Sequence, residues 1–138
     1  MVFLALWSPW QIIEEEAVAT WYGEDFLGKR HSASWHGETP RGFPEVVTEN
    51  AYGVAAPVGI PFGTILCITR LRTCYGESSE FDGRSVIVQV VDRKARYRDK
   101  GYYDLWPAAA LALGFGPTFD KDDVGCIRAR VEILSLDY

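Results

Sequence analysis

A chain of 138 residues, 48% of them hydrophobic, is long enough to bury one sizeable core and too short for two, so a single globular domain is expected. The formal net charge of −5 argues against a duplex-binding protein, which concentrates Lys and Arg into a footprint for phosphates, and no nucleic-acid partner is expected. The three cysteines, Cys67, Cys74 and Cys126, cannot all pair within the chain and show no C-x-x-C spacing, so no metal site is expected. At least two are read as small core residues, and a pairing that involves Cys126 stays open.

The chain begins with the apolar run Met1-Val-Phe-Leu-Ala-Leu-Trp, which lacks the positive leader and small-residue cleavage site of a signal peptide and is too short to span a bilayer. Ser8-Pro9-Trp10-Gln11 carries the marks of a helix start, with a capping serine, proline at the first position and glutamine completing a capping box before Ile12 and Ile13. Residues 1–16 are therefore expected to form an extension with an extra N-terminal helix, packed on the domain or docked on a protein partner, and residues 17–138 the domain itself. From residue 17 onward short β-runs alternate with Gly and Pro: Ala17 to Tyr22, Tyr52 to Ala56, Thr64 to Leu71, Ser85 to Val91 and Ile127 to Leu134. Arg128, Arg130 and Glu132 alternate with Ala129, Val131 and Ile133, the pattern of a half-exposed strand, whereas the unbroken run Ile65 to Ile68 suits a strand buried on both faces. The one helix that the pattern specifies inside the domain is Pro107 to Leu113, opened by proline and closed by Gly114. Ser32 to Thr48 and Cys74 to Gly83 lack periodicity and read as long loops, with His31 and His36 as solvent-facing loop histidines.

The residues that suggest chemistry are two aspartates. Asp92 ends the run Ser85 to Val91 and Asp104 precedes the Pro107 helix, so both sit on rigid elements, as acid/base work on a glycosidic bond requires. Between them, residues 93–101 hold five cations and one anion, a charge of +4 that leaves −9 for the rest of the chain. Trp21, Tyr22, Trp35, Tyr97, Tyr102, Tyr103 and Trp106 supply aromatic rings on or near the same segments, where they either stack on sugars or fill the core.

Several fragments in order give the chain a resemblance to the double-psi β-barrels related to rare lipoprotein A, a septal lytic transglycosylase, and more distantly to bacterial expansins. They are Val18-Ala-Thr-Trp-Tyr-Gly23, Val54-Ala-Ala-Pro-Val-Gly-Ile-Pro-Phe-Gly-Thr64, Val90-Val-Asp-Arg93, Tyr103-Asp-Leu105 with Pro107-Ala-Ala-Ala, and Ala129-Arg-Val-Glu-Ile-Leu134. The resemblance implies a mainly β fold, a six-stranded double-psi β-barrel with one short α-helix, acting on peptidoglycan or a related polysaccharide by lytic transglycosylation, without cofactor. It places Thr20, Asp92 and Asp104 in a glycan groove; in that groove Asp92 is expected to be the principal acid/base with Asp104 tuning it, and Trp21, Tyr22, Arg93 and Tyr103 are expected to contact the sugar. It also implies a location in the cell envelope or outside the cell. Departures are Pro57, where these relatives usually carry a histidine, Lys94-Ala95 after the Asp-Arg pair, and Trp106 at a helix cap usually filled by serine. The second expectation is a non-catalytic glycan-binding or structural module, for example a virion-associated component of a phage tail.

Overall fold

The alternating and continuous apolar runs close on themselves. The computed structural model describes residues 11–22, 24–93, 101–115 and 125–135. Its elements are β1 (Gln11–Trp21), a 3₁₀ turn at Glu24–Phe26, α1 (Ser32–Trp35), β2 (Gly53–Ala56), β3 (Ile65–Thr73), β4 (Ser85–Arg93), β5 (Tyr102–Leu105), α2 (Pro107–Ala112) and β6 (Cys126–Ser135). The six strands form a closed barrel in the order β1-β5-β2-β4-β3-β6. The β1/β5 and β2/β4 pairs are parallel and the rest antiparallel. Exchanging β1 with β4, β2 with β5 and β3 with β6 maps this order onto itself, the pseudo-twofold arrangement of a double-psi barrel, and closure leaves no unpaired sheet edge.

Strand alternation sorts the side chains. Ala17 and Ala19 of β1, Val54 and Ala56 of β2, Leu66 and Ile68 of β3, Val86, Val88 and Val90 of β4, Tyr103 and Leu105 of β5, and Ile127, Ala129 and Val131 of β6 fill the main core together with α2. As expected, β6 exposes its charged residues in part, and β3 is buried on both faces from Leu66 through Arg70. Arg70, 1% exposed, donates to the Leu113 carbonyl oxygen at 2.8 Å and to Asp82 at 3.2 Å, so this buried cation holds the C-terminal end of α2.

A second core lies outside the barrel wall. Tyr22, Ala33, Val47, Ala55, Val91 and Trp106 pack there, backed by Leu27, Phe43, Ala51 and Phe62. Trp106 is its hub: fully buried, with the rings of Phe43, His31 and Tyr22 centred 5.3, 5.7 and 6.2 Å away. Gly53 has to be glycine, because a Cβ there would come within 2.6 Å of the Trp106 ring. Trp106 caps α2 without a side-chain hydrogen bond, so its indole serves packing and not sugar stacking.

Three expectations need correction. Residues from Gln11 onward are strand and not helix: pairs such as Gln11 with Ile133 and Ile12 with Glu132 override the local capping signal, and a boundary at residue 16 falls within β1. Residues 1–10 lie outside the described residues. The segment after residue 31 contains α1, a second short helix, where a loop was expected. Cys74 and Cys126 form a disulfide that ties the end of β3 to the start of β6, leaving Cys67 as the one buried free thiol among the described residues. The sixth strand, β5, was carried by no periodicity, since four residues are too few to show one.

Candidate functional site

Outward-facing positions of four neighbouring strands line up across the barrel wall. Thr20 of β1 pairs with Asp104 of β5, Asp104 pairs with Ala55 of β2, and Ala55 pairs with Asp92 of β4. The two aspartates therefore flank Ala55 on one face, two strand spacings or about 10 Å apart between backbones. Asp92 reaches this face through a β-bulge. Val90 points into the core, and simple alternation would send Val91 out and Asp92 in. The register shifts after Val54, so that Ala55 pairs with Asp92, and Val91 and Asp92 both lie outside.

Asp92 is held by four donors. Oδ1 accepts from Ser32 N at 3.0 Å, Ser32 Oγ at 2.6 Å and Arg93 N at 2.9 Å, and Oδ2 accepts from the Tyr22 hydroxyl. Tyr22 is 4% exposed, and burial first, then the charge and hydrogen bond of Asp92 and the charge of Asp104, push its pKa well above the ordinary tyrosine value. Its hydroxyl therefore remains a donor. Asp104 Oδ1 accepts from Thr20 Oγ1 at 2.6 Å, and both residues are half-buried.

Beyond Asp92 the chain turns onto a shelf. The Arg93 guanidinium lies over the Phe62 ring, 4.1 Å from its centre, with Nη1 3.5 Å from the Pro57 carbonyl oxygen. Burial lowers the Arg93 pKa, against the opposing influence of Asp92 and Glu38. Glu38, Pro61, Phe62 and Arg93 line a cavity of about 400 Å³. The His36 ring, exposed, sits 6.1 Å from Phe62 with Nδ1 2.8 Å from the Ser32 carbonyl oxygen. His31 is 1% exposed, contrary to the expected solvent-facing loop: Nδ1 accepts from Ser34 N and caps α1, while Nε2 donates to the Pro44 carbonyl oxygen at 2.7 Å.

The structure thus brings Thr20, Tyr22, Asp92, Arg93 and Asp104 to one side of the barrel. It does not bring Trp21 or Tyr103 there. Trp21 is half-buried against the main core, one residue out of phase with Thr20 and Tyr22. Tyr103 is fully buried inside the barrel and lines a different cavity, of about 310 Å³, with Glu14, Ile60 and Ile133; burial, followed by Glu14, pushes its pKa upward. Ser32, the main partner of Asp92, carried no signal in the sequence beyond its place in an aperiodic segment. The basic residues 94–100 lie outside the described residues. Among the described residues no group of three or more His, Cys, Asp and Glu could hold a metal ion, and no helix is long and apolar enough to cross a membrane. No family model matches the chain, and no curated protein matches it.

Proposed function

We propose that this chain binds and cleaves a cell-wall glycan, most simply peptidoglycan, by lytic transglycosylation on the face bearing Thr20, Asp104, Tyr22 and Asp92. The observation that carries the reading is the row itself: two half-exposed carboxylates on the strands either side of β2, on one barrel face, each fixed by a hydroxyl. The ordered fragments shared with rare lipoprotein A-like barrels support it.

The hydrogen bonds held by Asp92 favour a division of roles different from the one the resemblance implies. Asp92 already accepts four hydrogen bonds, so a proton placed on it would displace a donor. Asp92 is the positioning residue, fixing Tyr22 and α1. Asp104 is the proton carrier. It gives its proton to the glycosidic oxygen as the C1–O bond breaks, then takes the proton of the same sugar's C6 hydroxyl as that oxygen bonds C1, which closes a 1,6-anhydro ring and consumes no water. Thr20 holds the Asp104 carboxylate in place. The Cys74–Cys126 disulfide supports an oxidising location, the cell envelope or beyond the cell.

Digestion of purified peptidoglycan followed by mass spectrometry tests the reading. Anhydro-ended fragments are expected from the wild-type chain and none from Asp104→Asn. A second reading, a non-catalytic binding module such as a phage-tail component, is favoured by Pro57 in place of the relatives' histidine; retention on intact sacculi without any new ends would select it.

A further inference from the structure

We propose that the Arg93 shelf is a carboxylate subsite beside Asp92, so that the glycan taken by this face is anionic at the unit lying over Phe62. The inference rests on the proposed glycan site and names its substrate class. The backbone N–H of Arg93 donates to Asp92 Oδ1 at 2.9 Å, which fixes where the side chain leaves the barrel end relative to the acid row. The guanidinium then stacks on Phe62 and partly loses its water, yet among the described residues it makes no ion pair and only one long contact, to Pro57 O. A guanidinium carries five N–H donors in a planar fork that matches a carboxylate. Stacking on an aromatic ring leaves the edge of that fork free for such a partner, and the cavity beside it has room for one.

Glu38 lines the same cavity without pairing with Arg93, and its charge opposes an incoming anion. The subsite is therefore one of moderate affinity, in which an anionic ligand supplies the partner that Glu38 does not. His36, whose ring is centred 6.1 Å from that of Phe62, borders the shelf.

The test is titration with soluble disaccharide–peptide fragments of peptidoglycan and with the same fragments after their carboxylates are converted to amides. The wild-type chain is expected to bind the untreated fragments about tenfold or more tightly, the size of one charge-assisted contact. Arg93→Gln removes the preference between untreated and amidated fragments, Arg93→Lys keeps part of it, and Glu38→Gln strengthens binding of the untreated fragments alone. Glu38 is exposed, so that variant stays informative if Arg93→Gln fails to fold. A peptide-free fragment, whose carboxylate is on the sugar, separates sugar from peptide as the source of the charge. Equal binding of treated and untreated fragments by the wild type overturns the subsite and leaves the glycan reading standing. Preference that persists in Arg93→Gln overturns it by assigning the charge reading to another cation. Binding of neither fragment overturns both.

Discussion

The link between Tyr22 and Asp92 is the feature on which the assignment of roles depends, and a double-mutant cycle measures it. Tyr22→Phe removes one hydrogen bond to a charged acceptor inside a nearly buried contact, worth about 1.5–3 kcal/mol. Asp92→Asn keeps an oxygen for Ser32 N, Ser32 Oγ and Arg93 N but turns an amide toward Tyr22, so the loss should again be about 1.5–3 kcal/mol. Once either partner is gone the other substitution has little left to remove. The double variant should therefore lose about as much as one single variant, with a coupling energy of about 1.5 kcal/mol or more. Urea unfolding at neutral pH reads each corner of the cycle. For a chain of this size roughly 1 kcal/mol corresponds to about 3 °C in Tm, so thermal melts should fall by about 5–9 °C in each single variant. Additivity of the two losses to within about 0.3–0.5 kcal/mol would refute the argument, since it would mean that Asp92 and Tyr22 do not act as a unit.

Gly53→Ala should destabilise by about 1–3 kcal/mol, because the added methyl meets the Trp106 ring from a backbone that cannot withdraw, and the loss should be visible in Trp fluorescence as well as in the melt. Removing the Cys74–Cys126 crosslink, which closes 52 residues, should lower stability by about 2–4 kcal/mol; an unchanged Tm in reductant would refute the structural role of the bridge. Tyr22 and Tyr103 both have folded pKa values raised above the unfolded value of about 10, so above that pH the unfolded chain binds fewer protons than the folded one and stability falls as pH rises toward the folded values. Their contribution is fully present below about pH 10, each tyrosine adds a slope of up to about −1.4 kcal/mol per pH unit above it, and Tyr22→Phe should flatten the alkaline decline by one such increment.

Much of the barrel could be read from the sequence because its strands alternate plainly. The apolar parity of Val86, Val88 and Val90 and of Ala129 and Val131 is the parity of the core. The helix at Pro107 was equally legible from its proline and from Gly114, whose φ is 81°. The failures share one cause, long-range pairing. Ser8 to Gln11 reads locally as a helix start, but β6 offers Gln11 and Ile12 strand partners more than a hundred residues away. Tyr103 has the composition of a sugar-binding aromatic beside Asp104, yet neighbours on a strand face opposite ways, and Asp104 facing out sends Tyr103 in. His31 gives no local sign that it will be buried as a cap, since that follows from the packing of Trp106 and Phe43 around it.

The bulge at Val91 ties these observations together. A run of valines ending in Asp-Arg could in principle deliver the acid to either side of the wall, and on strict alternation Asp92 would point into a core of Val54, Val88 and Leu105, where a carboxylate finds no donors. Inserting one residue into the β2/β4 pairing sends Asp92 outward, to the Ser32 amide and hydroxyl and to Tyr22, while Val91 fills the second core under Trp106. The same shift sets Arg93 at the rim, where its side chain turns over Phe62 instead of entering the barrel. One backbone irregularity thus sends the positioning acid to the face that already holds Tyr22 and Ser32 and leaves Arg93, paired with Ala56, at the end of the strand beside it, and a barrel lacking that bulge would lose the site.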